Sequence, residues 1–378
     1  MKKLAAALLV ATLLLLPARA AGTAAPEVDA AAAVLMEKET GTLLCEQNAH
    51  SKLEPASVPK GMTLLLVMEA IDGGARSRED RVTVSAHAAS MGGSQVYLKE
   101  GEQMTVDDLL KAVAVASGND AAVALAEHIA GSEEAFVARM NERAVQLGMT
   151  DTCFVNCTGL PAAGHLTSAY DIALMSRELI LNHPSIRDYT TIWMDSLRNG
   201  QFQLSNTNKL IRFYEGATGL KTGSTDAAGY CLAATAERDG MELIAVVLNS
   251  PTSQIRSAAA QTLLNYGFAT YTLMDVYPGQ ALPPVEVLLG EETTVQPVLS
   301  GSSRVLVEKA LLDQVDCRVE LCQDVEAPVE AGQTLGSLTV TAGEQVLGSI
   351  PILADRAVER LSVPGVFLRL IRGLFMAG

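Results

Sequence analysis

The order of apolar and polar positions divides the chain into stretches of different texture. Lys2 and Lys3 lead into an apolar run from Leu4 to Leu16, followed by Pro17-Ala18-Arg19-Ala20-Ala21. A charged start, a short apolar core and an A-x-A site together predict an export leader over residues 1–20, cleaved near Ala21. The run falls short of the roughly 20 residues that span a bilayer comfortably. Ala32 to Met36 and Thr42 to Cys45 read as strands joined through Glu39-Thr40-Gly41. Met62 to Ile71 is almost wholly apolar, the composition of a helix buried on all sides. Helical patterns follow at Val106 to Ala116, Ala121 to Ala130, Glu133 to Leu147 and Ser168 to Leu181. Strands are expected at Tyr230 to Ala236 and Leu243 to Leu248, and a last helix at Ser257 to Asn265. Strands at both ends with helices between them predict an α+β domain over residues 27–270, its antiparallel sheet assembled from distant parts of the chain.

Beyond Tyr277-Pro278-Gly279 the texture changes to short alternating runs: Ser303 to Val307, Val315 to Leu321, Ser337 to Thr341 and Gln345 to Ile350. Ala342-Gly343 is read as a hairpin turn between the last two, and residues 283–354 as a small all-β domain. In the final stretch, 355–378, the apolar residues Val363, Val366, Phe367, Leu370, Ile371, Leu374 and Phe375 fall on one helical stripe. Ser362 is placed to cap that helix, and Arg369 and Arg372 lie off its stripe, with Arg356 and Arg360 just upstream. A short helix with an apolar face and a basic margin lies in a bilayer interface without crossing it. The same periodicity also suits a terminal helix docked on the protein's own core.

Composition narrows the function classes. Hydrophobic residues make up 49% and charged residues 19% of the 378, which excludes a disordered, collagen-like or coiled-coil chain. The net charge of -15 becomes -18 once Lys2, Lys3 and Arg19 leave with the leader, so nucleic acid is excluded as a partner. Six cysteines are too few for a disulfide-stapled scaffold. Cys153 and Cys157, and Cys317 and Cys322, lie near each other in sequence, and either disulfides or buried thiols fit them. The five histidines show no metal-ligand spacing, so neither metal nor cofactor is expected, and His165 is read as structural.

Three short patterns carry candidate chemistry. Ser57-Val58-Pro59-Lys60 opens the buried helix, and residues three apart on a helix start share a face, putting an amine within reach of a hydroxyl. Ser117-Gly118-Asn119-Asp120 separates two helices, and Lys221-Thr222-Gly223-Ser224 precedes a strand, with Lys221 on a strand edge. Each alone is an ordinary cap or turn. The ordered set Ser-x-x-Lys, Ser-x-Asn, Lys-Thr-Gly is the set used by serine-acylating, penicillin-interacting enzymes.

With those patterns, the chain resembles the D-alanyl-D-alanine carboxypeptidases, the low-molecular-weight penicillin-binding serine peptidases. The similarity extends to Pro55-Ala56-Ser57, Gly93-Ser94 to Leu98-Lys99, Asn156-Cys157-Thr158-Gly159-Leu160, His165, Ala228-Gly229-Tyr230 and Leu263 to Phe268. It implies a penicillin-binding, β-lactamase-like transpeptidase fold with a C-terminal β-domain and a tail that anchors the protein on the outer face of the cytoplasmic membrane. The implied substrate is the peptidoglycan stem pentapeptide, and β-lactams are implied ligands. Ser57 is implied as the acylated nucleophile and Lys60 as its base, kept neutral by partial burial and by the nearby cation Lys221. Ser117 would relay a proton beside Lys221, and Asn119 would orient Lys60 and the substrate amide. The N–H groups of Ser57 and Ser224 would form an oxyanion hole beside Gly223, and Thr222 with Arg256 would hold the terminal carboxylate.

The chain departs from the family at Pro59 and Gly61, where relatives carry Thr and a larger apolar residue, and at Ser224, where many carry His. A β-lactamase on this fold needs a Glu-activated water. The one Glu-x-x-x-Asn pair, Glu178 and Asn182, reads as a surface Glu and a helix-terminal Asn. Two further readings are a DD-endopeptidase, which uses the same apparatus, and a catalytically silent cell-wall-binding protein.

Overall fold

The computed structural model describes residues 25–301 and 303–366. The leader expected over residues 1–20 and the tail from 367 onward lie outside the described residues. In chain order the first part holds strands β1 (Ala32–Glu37) and β2 (Leu43–Gln47), helix α1 (Lys60–Asp72), strand β3 (Arg81–Thr83), helix α2 (Ala86–Ala89) and strand β4 (Gln103–Thr105). Helices α3 (Val106–Ala116), α4 (Asn119–Ala130), α5 (Glu133–Gln146), α6 (Ala169–Asn182) and α7 (Arg187–Thr190) come next. They are followed by strands β5 (Met194–Leu197) and β6 (Phe202–Ser205), helix α8 (Leu210–Phe213), strands β7 (Ala217–Thr225), β8 (Gly229–Arg238) and β9 (Met241–Ser250), and helix α9 (Ser253–Thr270).

The central sheet runs β2-β1-β9-β8-β7, antiparallel throughout, so the first strands of the chain pair with late ones and β7 is left at an edge. Strand alternation sets its two faces. Val34 and Met36 join Ile244, Val246 and Leu248 under a helical layer that includes α1, α3, α4 and α6. Ala33 and Leu35 turn the other way, with Leu232, Ala234 and Val247, against Ala260, Leu263 and Leu264 of α9. Thus α1 sits between the sheet and other helices, and every residue from Lys60 to Met68 is buried. Helix starts follow side-chain caps: Thr105, Ser132, Ser168 and Thr252 accept from the backbone N–H three residues on. The Thr252 cap starts α9 one turn earlier than the apolar periodicity indicates.

The second part holds β10 (Tyr271–Asp275), β11 (Val285–Leu288), β12 (Thr294–Val295), β13 (Pro297–Leu299), β14 (Arg304–Glu308), β15 (Val315–Leu321), β16 (Asp324–Glu326), β17 (Thr334–Ala342) and β18 (Gln345–Ala354). The sheets are β12-β11-β16 and β13-β18-β17-β15, and β10 pairs with β14. Because Ala342 faces Gln345, the β17–β18 turn consists of Gly343-Glu344, one position later than expected, with Gly343 at φ +60°. At the end of the described chain, Ser362 Oγ accepts from Gly365 N–H at 3.3 Å and Ser362 O from Val366 N–H at 2.9 Å.

Candidate active site

Ser57 stands in the tight turn that leads into α1, the first helical residue being Lys60 rather than Ser57. The turn brings Lys60 Nζ to 2.9 Å from Ser57 Oγ, while the same nitrogen donates to the Thr158 carbonyl at 2.7 Å. Lys60 is fully buried, not partly buried as expected. Burial in the helical layer, set against weaker opposing fields from Cys157 and Asp120, pulls its pKa down to about 7. The carbonyl that steadies it is supplied by a loop closed on itself: Asn156 Oδ1 accepts from Thr158 N–H, Thr158 Oγ1–H and Gly159 N–H, and Asn156 Nδ2 donates to Leu160 O.

Gly159 in that loop has φ +81°, and a Cβ there would sit 1.7 Å from the Ala56 carbonyl oxygen. Gly159→Ala is therefore expected to destabilise the fold by about 3 kcal/mol, combining left-handed backbone strain with overpacking of a backbone that cannot move without displacing Ser57. Urea unfolding of the variant checks this, and an unchanged midpoint would contradict it.

Across the cleft, Ser117 occupies the left-handed C-cap of α3 with φ +62°, buried, and Lys221 on β7 donates to its Oγ at 2.8 Å and to Thr222 O at 2.7 Å. Burial, with the neighbouring cations Lys60 and Arg256, pushes the Lys221 pKa well down. Asn119, first residue of α4, donates from Nδ2 to Gly92 O at 2.6 Å, and its backbone N–H donates to Ser94 O. The Asp120 carboxylate takes the N–H groups of Val96 and Leu98. These bonds hold the 92–98 loop over the site. They also differ from the expected Asn119–Lys60 contact, because the amide nitrogen is engaged with Gly92 and Oδ1 is buried without a partner.

Strand β7 runs close against the Ser57 turn, where a Cβ on Gly223 would lie 2.6 Å from Ser57 N and 2.9 Å from Ala56 Cβ. Glycine there lets the two backbones lie side by side, with Ser57 and Ser224 on one cleft wall. The cleft has a volume of about 200 Å³ and is lined by Ser57, Ser117, Thr207, Thr222, Ser224 and Arg256, among others. Arg256 lies inside the first turn of α9 and is 7% exposed, not solvated as helix-end arginines usually are. Its Nη1 reaches Cys231 O at 3.3 Å, and its Nε is buried without a partner. Thr207, which the sequence reading missed, bonds Thr222 Oγ1 at 2.6 Å. The available signal was the Asn206-Thr207-Asn208 triplet, whose buried amides reach Ile192 O and Gly219 O and fix the segment.

Other candidate groups lie elsewhere. Glu178 pairs with Arg143 and accepts from Asn182, the last residue of α6. Glu69, Glu178 and His183 cluster closely enough to suggest a metal site, but Arg143 engages both carboxylates and His183 Nδ1 contacts Asp72. His165 is buried edge-on to Phe154, and desolvation lowers its pKa to about 4. All six cysteines are free thiols.

Comparison with known proteins shows the family. The profile of the penicillin-binding protein 5 C-terminal domain matches residues 271–360. The D-alanyl-D-alanine carboxypeptidase DacF of Bacillus subtilis is 42% identical over 337 residues, covering 88% of this chain and 86% of that one. DacC of Escherichia coli, also named a D-alanyl-D-alanine carboxypeptidase, is 34% identical over 89% of this chain and 86% of its own. Penicillin binding protein 5 from Haemophilus influenzae superposes with a TM-score of 0.80 at 30% identity, covering 89% of this chain and 99% of that one. The D-alanyl-D-alanine carboxypeptidase profile spans residues 19–252, more than half of the chain, and the protein belongs to that family.

Proposed function

We propose that the protein is a serine D-alanyl-D-alanine carboxypeptidase that removes the terminal D-alanine from peptidoglycan stem pentapeptides and is acylated by β-lactams. The reading rests above all on the 2.9 Å contact between Ser57 Oγ and a fully buried Lys60 amine. A neutral Lys60 takes the Ser57 proton as Oγ attacks the carbonyl between the last two residues. The oxygen of the tetrahedral intermediate is received by the N–H groups of Ser57 and Ser224, whose backbones lie on the same wall. Ser117, held by Lys221, passes a proton to the departing D-alanine nitrogen. Lys60 then returns its proton to the Ser117 side of the cleft, takes a proton from the water that attacks the ester, and delivers it to Ser57 Oγ as the acyl bond breaks. Thr222 and Arg256 hold the substrate carboxylate, for which a guanidinium fork in a low-dielectric wall is suited. Asn119 fixes the 92–98 wall through Gly92 and leaves Oδ1 for the substrate amide. No step calls for a metal or cofactor.

The division proposed with this activity is a leader over 1–20, a catalytic domain over 27–270, a β-domain over 283–354 and a membrane-associating tail over 355–378. Among the described residues no helix is long and apolar enough to cross a membrane. Export by the leader and attachment by the tail would place Ser57 at the cell wall, on the outer face of the cytoplasmic membrane.

The test is incubation with labelled penicillin followed by peptide mapping, alongside D-alanine release from a pentapeptide. An adduct on Ser57 with release of D-alanine is expected, and an adduct on another residue, or none, would overturn the reading.

A further inference from the structure

A second groove begins where the carboxylate grip ends. It has a volume of about 270 Å³ between α8 and the first turns of α9, lined by Leu210, Phe213, Ala258 and Gln261, with Lys209 alongside. Ser253 and Arg256 line both this groove and the catalytic cleft, so the two spaces adjoin at the arginine. Phe213 is 67% exposed, so its ring forms an open wall of the groove. Its ring stands edge-on to Trp193 at 6.0 Å, and the Arg212 guanidinium lies over both rings at 5.8 Å.

A site that released only D-alanine would need room for a methyl group beyond the scissile nitrogen. The groove offers far more, and its walls are largely apolar. Building on the carboxypeptidase reading, we propose that it is a leaving-residue subsite: with the terminal carboxylate on Arg256, it receives an aliphatic side chain longer than that of alanine on the last D-residue. The protein would then trim stem peptides ending in such D-amino acids as well as in D-alanine. Phe213 and Ala258 determine this specificity, and neither lines the cleft around Ser57.

Two peptides identical except for a final D-alanine or D-norleucine test the assignment in the full chain. Wild type is expected to release D-norleucine with kcat/KM no lower than for D-alanine. Phe213→Ala, which removes a wall, and Ala258→Phe, which fills the groove from an exposed helix position, are each expected to lower kcat/KM for D-norleucine about tenfold through KM. Release of D-alanine should change less than about twofold. An activity-independent readout comes from Trp193, the only tryptophan in the sequence. In Ser57→Ala, the D-norleucine peptide should shift its fluorescence at lower concentration than the D-alanine peptide, and Phe213→Ala should abolish the difference. Equal effects on both peptides, or none, would overturn the subsite while leaving the carboxypeptidase reading intact. Failure of wild type to release D-alanine would overturn both.

Discussion

A Ser57→Ala variant is expected to lose D-alanine release by about four orders of magnitude or more and to form no covalent penicillin adduct. The size follows from what the hydroxyl does. Without it no acyl-enzyme exists, and the residual rate is what binding and oxyanion stabilisation give to direct attack by water. The loss should fall on kcat, because Arg256 and Thr222, which hold the substrate carboxylate, are untouched. Folding should survive. Ser57 is only half-buried, and Lys60 keeps its 2.7 Å bond to the Thr158 carbonyl when the hydroxyl is removed. Release of D-alanine by the folded variant at a rate within tenfold of wild type would remove Ser57 from the mechanism. A variant that still bound the peptide, read by Trp193 fluorescence, would separate lost chemistry from lost structure.

Much of this site could be read from residues close together in sequence. Ser57 and Lys60 are one helical turn apart, and the apolar run that follows them already implied that the lysine enters a buried helix. The Ser117 to Asp120 segment announced itself as a break between two periodic helices. What escaped were features created by contacts between distant segments. Thr207 belongs to an irregular stretch without periodicity, and only the pairing of β7 in the sheet brings Thr222 against it. Arg256 was named from the resemblance, but its burial could not be read, because apolar periodicity placed the start of α9 at Ser257; the Thr252 cap extends the helix and puts Arg256 against β8. The departure at Gly61 also has a tertiary cause, since a Cβ there would meet Met175 Cε at 2.4 Å. Met175 on α6 fills the space that a larger residue at position 61 would take.

The same lysine that serves the chemistry should weaken the fold, so Lys60→Met is expected to abolish activity and stabilise the protein. In the unfolded chain the amine has its ordinary pKa of 10.5, and in the native state burial brings it to about 7. Between those values the unfolded state holds a proton that the native state has released. Stability therefore rises with pH across that window, and the contribution is lost as pH falls toward 7. The displacement corresponds to a ceiling of roughly 5 kcal/mol, part of which the bond to Thr158 O offsets, so a gain of about 3 kcal/mol is expected for Lys60→Met at pH 7. Methionine has nearly the length of the lysine stem and carries no charge to desolvate. Urea midpoints from pH 5 to 10 should show a rising limb above pH 7 in wild type that is reduced in the variant. His165, whose pKa falls from 6.5 to about 4, should leave a separate limb below pH 6.5 in both proteins. Wild-type kcat/KM should climb about tenfold per pH unit below 7 and level off above it, as the base loses its proton. In Lys60→Met it should be at least about a thousandfold lower at every pH. A variant less stable than wild type at pH 7, or a wild-type rate indifferent to pH between 5.5 and 8, would show that Lys60 is charged in the native enzyme and is not the base.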